Sequence, residues 1–145
     1  KPDRRQRQMC IRDRLKIQPD SDRVYNYLGY TMLEQDDDIN LALHYINKAL
    51  KIKPGDGHII DSLGWAYYKL KDYPKALELL IKANRLKPNE PAILEHLGMV
   101  YYEMKNKRKA RIHFEKALNL LRKRKEPNQE EQKQMKTLEE KLANF

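Results

Sequence analysis

An imidazole close to a carboxylate is the smallest set of side chains here that could move a proton or begin a metal site. His58 and Asp61 are spaced i, i+3, which places them on one face of a helix, and His96 is positioned to lie across from them. Acid–base work needs such a pair beside a reacting group, and zinc needs further ligands at fitting spacing. Two histidines without another ligand do not meet that demand, so the expectation is a non-enzymatic chain with no catalytic residue, no metal and no cofactor. His44 and His113 read as solvated or partly packed. Asp36-Asp37-Asp38 lacks the glycine and closing glutamate of a calcium loop and reads as a helix start, with acids near the positive end of the dipole. Gly55 and Gly57 form a turn without the lysine–threonine signature that cradles phosphate. The single cysteine, Cys10, excludes an internal disulfide and a cysteine zinc cage.

What remains is charge and aromatic surface. The 145 residues carry 30 Lys+Arg against 21 Asp+Glu, a net charge of +9, and are 40% apolar. That length suits one domain or a short repeat array, and that composition suits a folded chain. No run of about 18 apolar residues exists, which excludes a membrane-spanning helix. The charge is uneven. Residues 15–104 are slightly acidic at −2, whereas residues 105–125 hold ten Lys/Arg and one acid.

The elements that position these groups repeat along the chain. YLGYTML (27–33), SLGWAYY (62–68) and HLGMVYY (96–102) align on Gly29, Gly64 and Gly98, which are 35 and 34 residues apart. Ala76 and Ala110 follow twelve residues after the second and third glycines, Ala83 and Ala117 nineteen after, with Leu80 and Phe114 between. In the first copy the set is Ala42, Ile46 and Ala49, displaced by one extra residue near Asp36-Asp37-Asp38. Each unit reads as two amphipathic helices, for example 57–70 and 73–86. A glycine inside a helix costs about 1 kcal/mol relative to alanine, so three equivalent ones need a packing reason. They admit Ile46, Leu80 and Phe114 from the partner helix. Pro54 and Pro88 stop second helices, and Pro74 is tolerated in the first turn of its own.

LGWAYYKLKDYPKALELLIKANRLKPNEP and LGMVYYEMKNKRKARIHFEKALNLL resemble the tetratricopeptide repeat family, helix-turn-helix units of about 34 residues. The likeness runs from about Leu15 to Leu121, with Met32 in place of the tyrosine at Tyr67 and Tyr101, and Arg122 where a proline would stand. It is also similar in wording to repeat regions of larger bacterial proteins, some of them in the cell envelope, so the compartment is left between cytoplasm and envelope. The resemblance implies an all-α, right-handed superhelical stack of hairpins whose first helices line a concave groove.

Counting from each glycine, the groove-facing positions are Arg23, Asn26, Tyr27, Tyr30, Leu33 and Glu34 in the first unit. In the second they are His58, Asp61, Ser62, Trp65, Tyr68 and Lys69; in the third, Ala92, Glu95, His96, Met99, Tyr102 and Glu103. This face is acidic by two charges and rich in tyrosine and tryptophan, which offer large contact area with a polar tip. The implied function is a scaffold that holds a peptide segment of a protein partner, with apolar and basic character. Arg23 and Asn26 alone match the lysines and asparagines with which some members grip a C-terminal carboxylate, and Asp61 and Glu95 oppose it. The same tyrosines also suit packing within and between units. The rival is attachment to nucleic acid or a membrane surface through Arg108, Lys109, Arg111, Arg122, Lys123, Arg124 and Lys125. No helix-turn-helix register and little aromatic interleaving support it.

The ends differ from the middle. Leu15-Lys16-Ile17-Gln18-Pro19 matches Leu50-Lys51-Ile52-Lys53-Pro54, so 15–21 reads as the tail of a preceding repeat. Upstream the match stops, and Met9-Cys10-Ile11-Arg12-Asp13-Arg14 resembles translated sequencing-adapter sequence, so residues 1–14 are expected to be a basic arm foreign to the array. Units 22–56, 57–90 and 91–125 follow. The third has an extended second helix, which Pro127 ends. Asn128 and Glu131 then form a capping box, and Met135, Leu138, Leu142 and Phe145 make one apolar stripe, so 126–145 reads as a capping helix. A repeat face left open at the N-terminal side would favour self-association.

Overall fold

Short polar side chains open nearly every helix. In the computed structural model, which describes residues 21–145, the side chains of Ser21, Asp38, Asp56, Asp72, Asn106 and Asn128 each accept a hydrogen bond from a backbone N–H of the following first turn. The helices they start are α1 (Asp22–Glu34), α2 (Ile39–Ile52), α3 (Gly57–Lys69), α4 (Tyr73–Leu86), α6 (Lys107–Arg122) and α7 (Gln129–Ala143). The exception is α5 (Pro91–Glu103), which begins on a proline and has no side-chain cap bond. No strand is present among the described residues. The basic arm 1–14 and all but the last residue of the 15–21 tail lie outside them.

The turns inside the three hairpins are built alike. Asp36, Lys71 and Lys105 take left-handed backbone with φ of 51, 64 and 64°. In each turn the next N–H bonds back to a carbonyl of the helix just ended: Asp37 to Met32, Asp72 to Tyr67, Asn106 to Tyr101. In the second and third hairpins the left-handed residue directly precedes the N-cap. In the first, Asp37 stands between them, which is where the extra residue of that copy resides.

The glycines explain how the hairpins close. A Cβ placed on Gly29 would lie 2.6 Å from Ile46 Cγ1, on Gly64 2.8 Å from Leu80 Cγ, and on Gly98 2.5 Å from Phe114 Cε1. Any side chain there would collide with the large residue that fills the gap. Ala42, Ala49, Ala76, Ala83, Ala110 and Ala117 are fully buried along the opposing helices. Three core clusters result. The first joins the α1–α2 hairpin to α3, the second joins α3–α4 to α5, and the third joins α5–α6 to α7 through Leu138. Successive hairpins stack, and the first helices α1, α3 and α5 lie side by side. The chain is an all-α stack of hairpins closed by a C-terminal capping helix, the Asn128–Glu131 capping box at its start. No helix among the described residues is long and apolar enough to cross a membrane.

Candidate functional site

The side-by-side first helices bring the chemistry-bearing residues together in a different pairing from the one their spacing suggests. Asp61 does not bond to His58 on its own helix. It accepts from His96 Nδ1 on the next first helix at 2.8 Å, with both residues buried at 6% and 5% exposure. His96 Nε2 lies 3.5 Å from the Tyr30 hydroxyl on α1, so the cluster spans three hairpins. The imidazole also stacks on Trp65 at 4.2 Å between centroids, and Trp65 stacks on Tyr68 at 4.5 Å. The Trp65 indole N–H donates to Glu34 at 3.0 Å.

Burial alone would push the His96 pKa down. The Asp61 carboxylate, by charge and by hydrogen bond, outweighs it, assisted by Glu95 and Glu34, and holds the imidazole above its ordinary value. The Tyr30 hydroxyl moves strongly upward, first through burial and then through Glu34 and Asp61. Aspartate, histidine and a hydroxyl in line have the outline of a nucleophile relay, yet the hydroxyl is moved away from ionisation and the imidazole is sealed under a tryptophan. A nucleophile needs the opposite shift. The arrangement works as a buried polar tie between hairpins. Among the described residues no group of three His, Cys, Asp or Glu could hold a metal ion.

Burial along the groove-facing positions is graded. Arg23, Tyr27 and His58 are exposed, Asn26 and Tyr30 half-buried, and together they line a cleft of about 730 Å³ between α1 and α3. Asp61, Ser62, Trp65 and His96 are buried, and Leu33 sits wholly in the core. Met99, Tyr102 and Glu103, with Tyr68, line a smaller cavity of about 260 Å³ against α7. Glu95 is held by α7: Gln134 and Lys141 each donate to it at 2.9 Å. Lys69 is held by Asp36 at 3.0 Å. His44 is exposed, and His113 bonds to the Lys109 carbonyl at 2.8 Å.

The basic residues of α6 do not form one stripe. At about 100° per residue, Lys107, Arg108, Lys109, Arg111, Lys116 and Arg122 turn through roughly 200° of the helix surface. Lys109 covers the Tyr101 ring and Arg111 the Phe145 ring. Arg122 and Arg124 pair with Glu139 and Glu131 of α7, while Lys123 and Lys125 are exposed in the connection.

The family described as TPR repeat matches residues 64–105, and the family described as tetratricopeptide repeat matches residues 91–124. Residues 64–124 are tetratricopeptide repeats. MamA of Desulfovibrio magneticus RS-1 has the same fold over 82% of this chain and 67% of its own, at 25% identity and a TM-score of 0.65. PilF of Pseudomonas aeruginosa aligns over 92% of this chain at 26% identity and a TM-score of 0.64, and the chain spans 59% of its length. A further MamA crystal structure aligns over 97% of this chain and 91% of its own at 22% identity and a TM-score of 0.63, which speaks for the fold alone. No curated protein matches the chain. Tetratricopeptide repeats are protein-interaction scaffolds, and no catalytic family is indicated.

Proposed function

We propose that the chain holds a peptide segment of a protein partner on its concave face, in the cleft between α1 and α3. One observation carries this reading. Arg23, Asn26, Tyr27 and Tyr30 from one helix and His58 from the next converge on one cleft, and the Asn26 side-chain oxygen in it is buried with no hydrogen-bond partner. A buried acceptor left unpaired costs about 1–3 kcal/mol, so rotation of the amide toward a bound backbone N–H would recover that energy. Tyr27, 59% exposed, adds a ring whose covering by a partner contributes apolar burial without disturbing the core. Trp65, Asp61, Ser62 and His96 act from beneath, fixing the spacing of the helices that carry the contacts. Lys69, Glu95 and Glu103 set the charge farther along.

The test is selection of binders from a random peptide library displayed against the intact chain, followed by binding of the enriched peptides to Tyr27→Ala and Asn26→Ala. Loss of about tenfold or more in affinity with unchanged thermal unfolding is expected. Enriched peptides that bind both variants as well as the parent chain would overturn the reading.

A further inference from the structure

The cavity at the far end of the groove differs in chemistry from the cleft. Tyr68, Tyr102, Phe114 and Phe145 supply rings to its lining, and Met99 a thioether. The rings meet edge to face: Tyr102 and Phe145 at 78° and 5.8 Å, Phe114 and Phe145 at 68° and 6.1 Å. Rings set near right angles make walls and a floor around a space, where a closed stack would fill it. At about 260 Å³ the space lies below the usual range for small-molecule sites, roughly 300–1,000 Å³, and suits one side chain.

Charge distinguishes the possible occupants. Two ionised groups line the cavity, Lys141 and Glu103. Lys141 is already committed, donating to Glu95 at 2.9 Å and lying 5.5 Å above the Phe114 ring. Glu103 has no ion-pair partner among the described residues. Its charge adds to burial in raising the Tyr68 hydroxyl to about 12, which places that carboxylate beside the cavity wall. Arg111 covers the Phe145 ring without lining the cavity. Elsewhere on this face the acids are satisfied: Asp61 by His96, Glu95 by Lys141, Glu34 by Trp65. The carboxylate left over stands at the aromatic box, and faces of aromatic rings attract cations within about 6 Å.

We infer that this cavity takes a lysine side chain of the bound peptide, its methylene stem against Met99 and the rings and its ammonium facing Glu103. The inference deepens the groove reading and rests on it: the cleft fixes the peptide and this pocket selects a basic residue along it.

The test titrates the intact chain, with carbon-13 in its aromatic rings, with Nα-acetyl-lysine N-methylamide, and separately with the norleucine analogue that lacks the ammonium. The lysine probe should shift the Tyr102 and Phe145 ring signals to saturation, with at least tenfold tighter binding than norleucine. Glu103→Gln, an unpaired position in the last turn of α5, should reduce lysine binding to the norleucine level, and Tyr102→Ala should remove the shifts. Equal binding of the two probes, indifference to Glu103→Gln, or no shift with either would overturn the inference. Tyr27→Ala should leave the lysine shifts intact, so failure of the cleft appears in the library peptides and failure of the pocket appears here.

Discussion

The two ends of the concave face are built from opposite materials on one scaffold. Between α1 and α3 the cleft is wide, lined by polar and apolar surface in near-equal share and left with an unpaired amide oxygen. Between α5 and α7 the space is a third of that size and walled by rings, with Phe114 nearly sealed beneath it. Underneath, the two ends share one packing rule: a glycine on the first helix receives one large side chain from the second. The repeat constrains the positions that hold helices together and leaves free the positions that face the groove. A polar tie, Asp61 to His96, separates the two regimes.

The largest effect should come from breaking the apolar end. Phe114 is 2% exposed, fills the space left by Gly98 and meets Phe145. Phe114→Ala leaves a cavity that the glycine cannot fill, at a cost of about 4 kcal/mol in a denaturant titration. A cost below about 1 kcal/mol would mean that the third cluster can collapse around the loss, and that the ends are less different in construction than they look.

Breaking the tie between the regimes should be somewhat milder. Asp61→Ala leaves the His96 imidazole buried without its acceptor and should cost about 3 kcal/mol, whereas Asp61→Ala combined with His96→Ala should cost less than the sum of the single changes. The tie also has a pH signature. His96 is held above its ordinary value of 6.5 in the folded chain, so it binds its proton more tightly folded than unfolded. Its contribution is fully present below about pH 6.5 and is lost as pH rises through the raised value. Unfolding free energy measured from pH 6.5 upward should therefore fall, and Asp61→Asn should flatten that fall. A parent chain whose stability is level across the window would show that the pair is held by packing alone.

How far the sequence reaches follows the same division. Gly29, Gly64 and Gly98, the terminal prolines Pro54 and Pro88, and the Asn128–Glu131 capping box are legible because each is demanded by backbone or helix packing within a short stretch of chain. The extra residue of the first hairpin is legible for the same reason, and Asp37 occupies it. The groove is only half legible. Register names the face, but the depth of each side chain depends on what the neighbouring first helix places over it. Trp65 is sealed because His96 of the next first helix and Tyr68 of its own helix both stack on it, while Tyr27, in the preceding repeat, stays open. His58 and Asp61 share a helix face by spacing, yet Asp61 turns to the helix beside it, since a bond to a buried partner 35 residues away is less screened, and so stronger, than one to an exposed neighbour. The signal was present in the offsets: Asp61 and His96 stand three and two residues before their glycines, which sets them on facing sides of adjacent helices.

The smallest effect separates the hairpin turns. Lys71 and Lys105 both hold φ of 64°, a region where a side chain with a Cβ is strained by about 1–2 kcal/mol. Both are exposed and lie at the ends of the turns rather than in the groove. Glycine relieves the strain but adds unfolded-chain freedom worth about 0.4–1 kcal/mol, so Lys71→Gly and Lys105→Gly should each stabilise by a net amount of about 0.5–1 kcal/mol. Asp36 sits at φ 51° in the equivalent turn, but aspartate tolerates this region by bonding locally, and its carboxylate also receives Lys69 at 3.0 Å. Asp36→Gly should therefore gain nothing and lose the ion pair. Thermal unfolding of the three variants side by side reads the difference. Equal gains at all three turns would show that the first hairpin, despite its extra residue, is held no differently from the others.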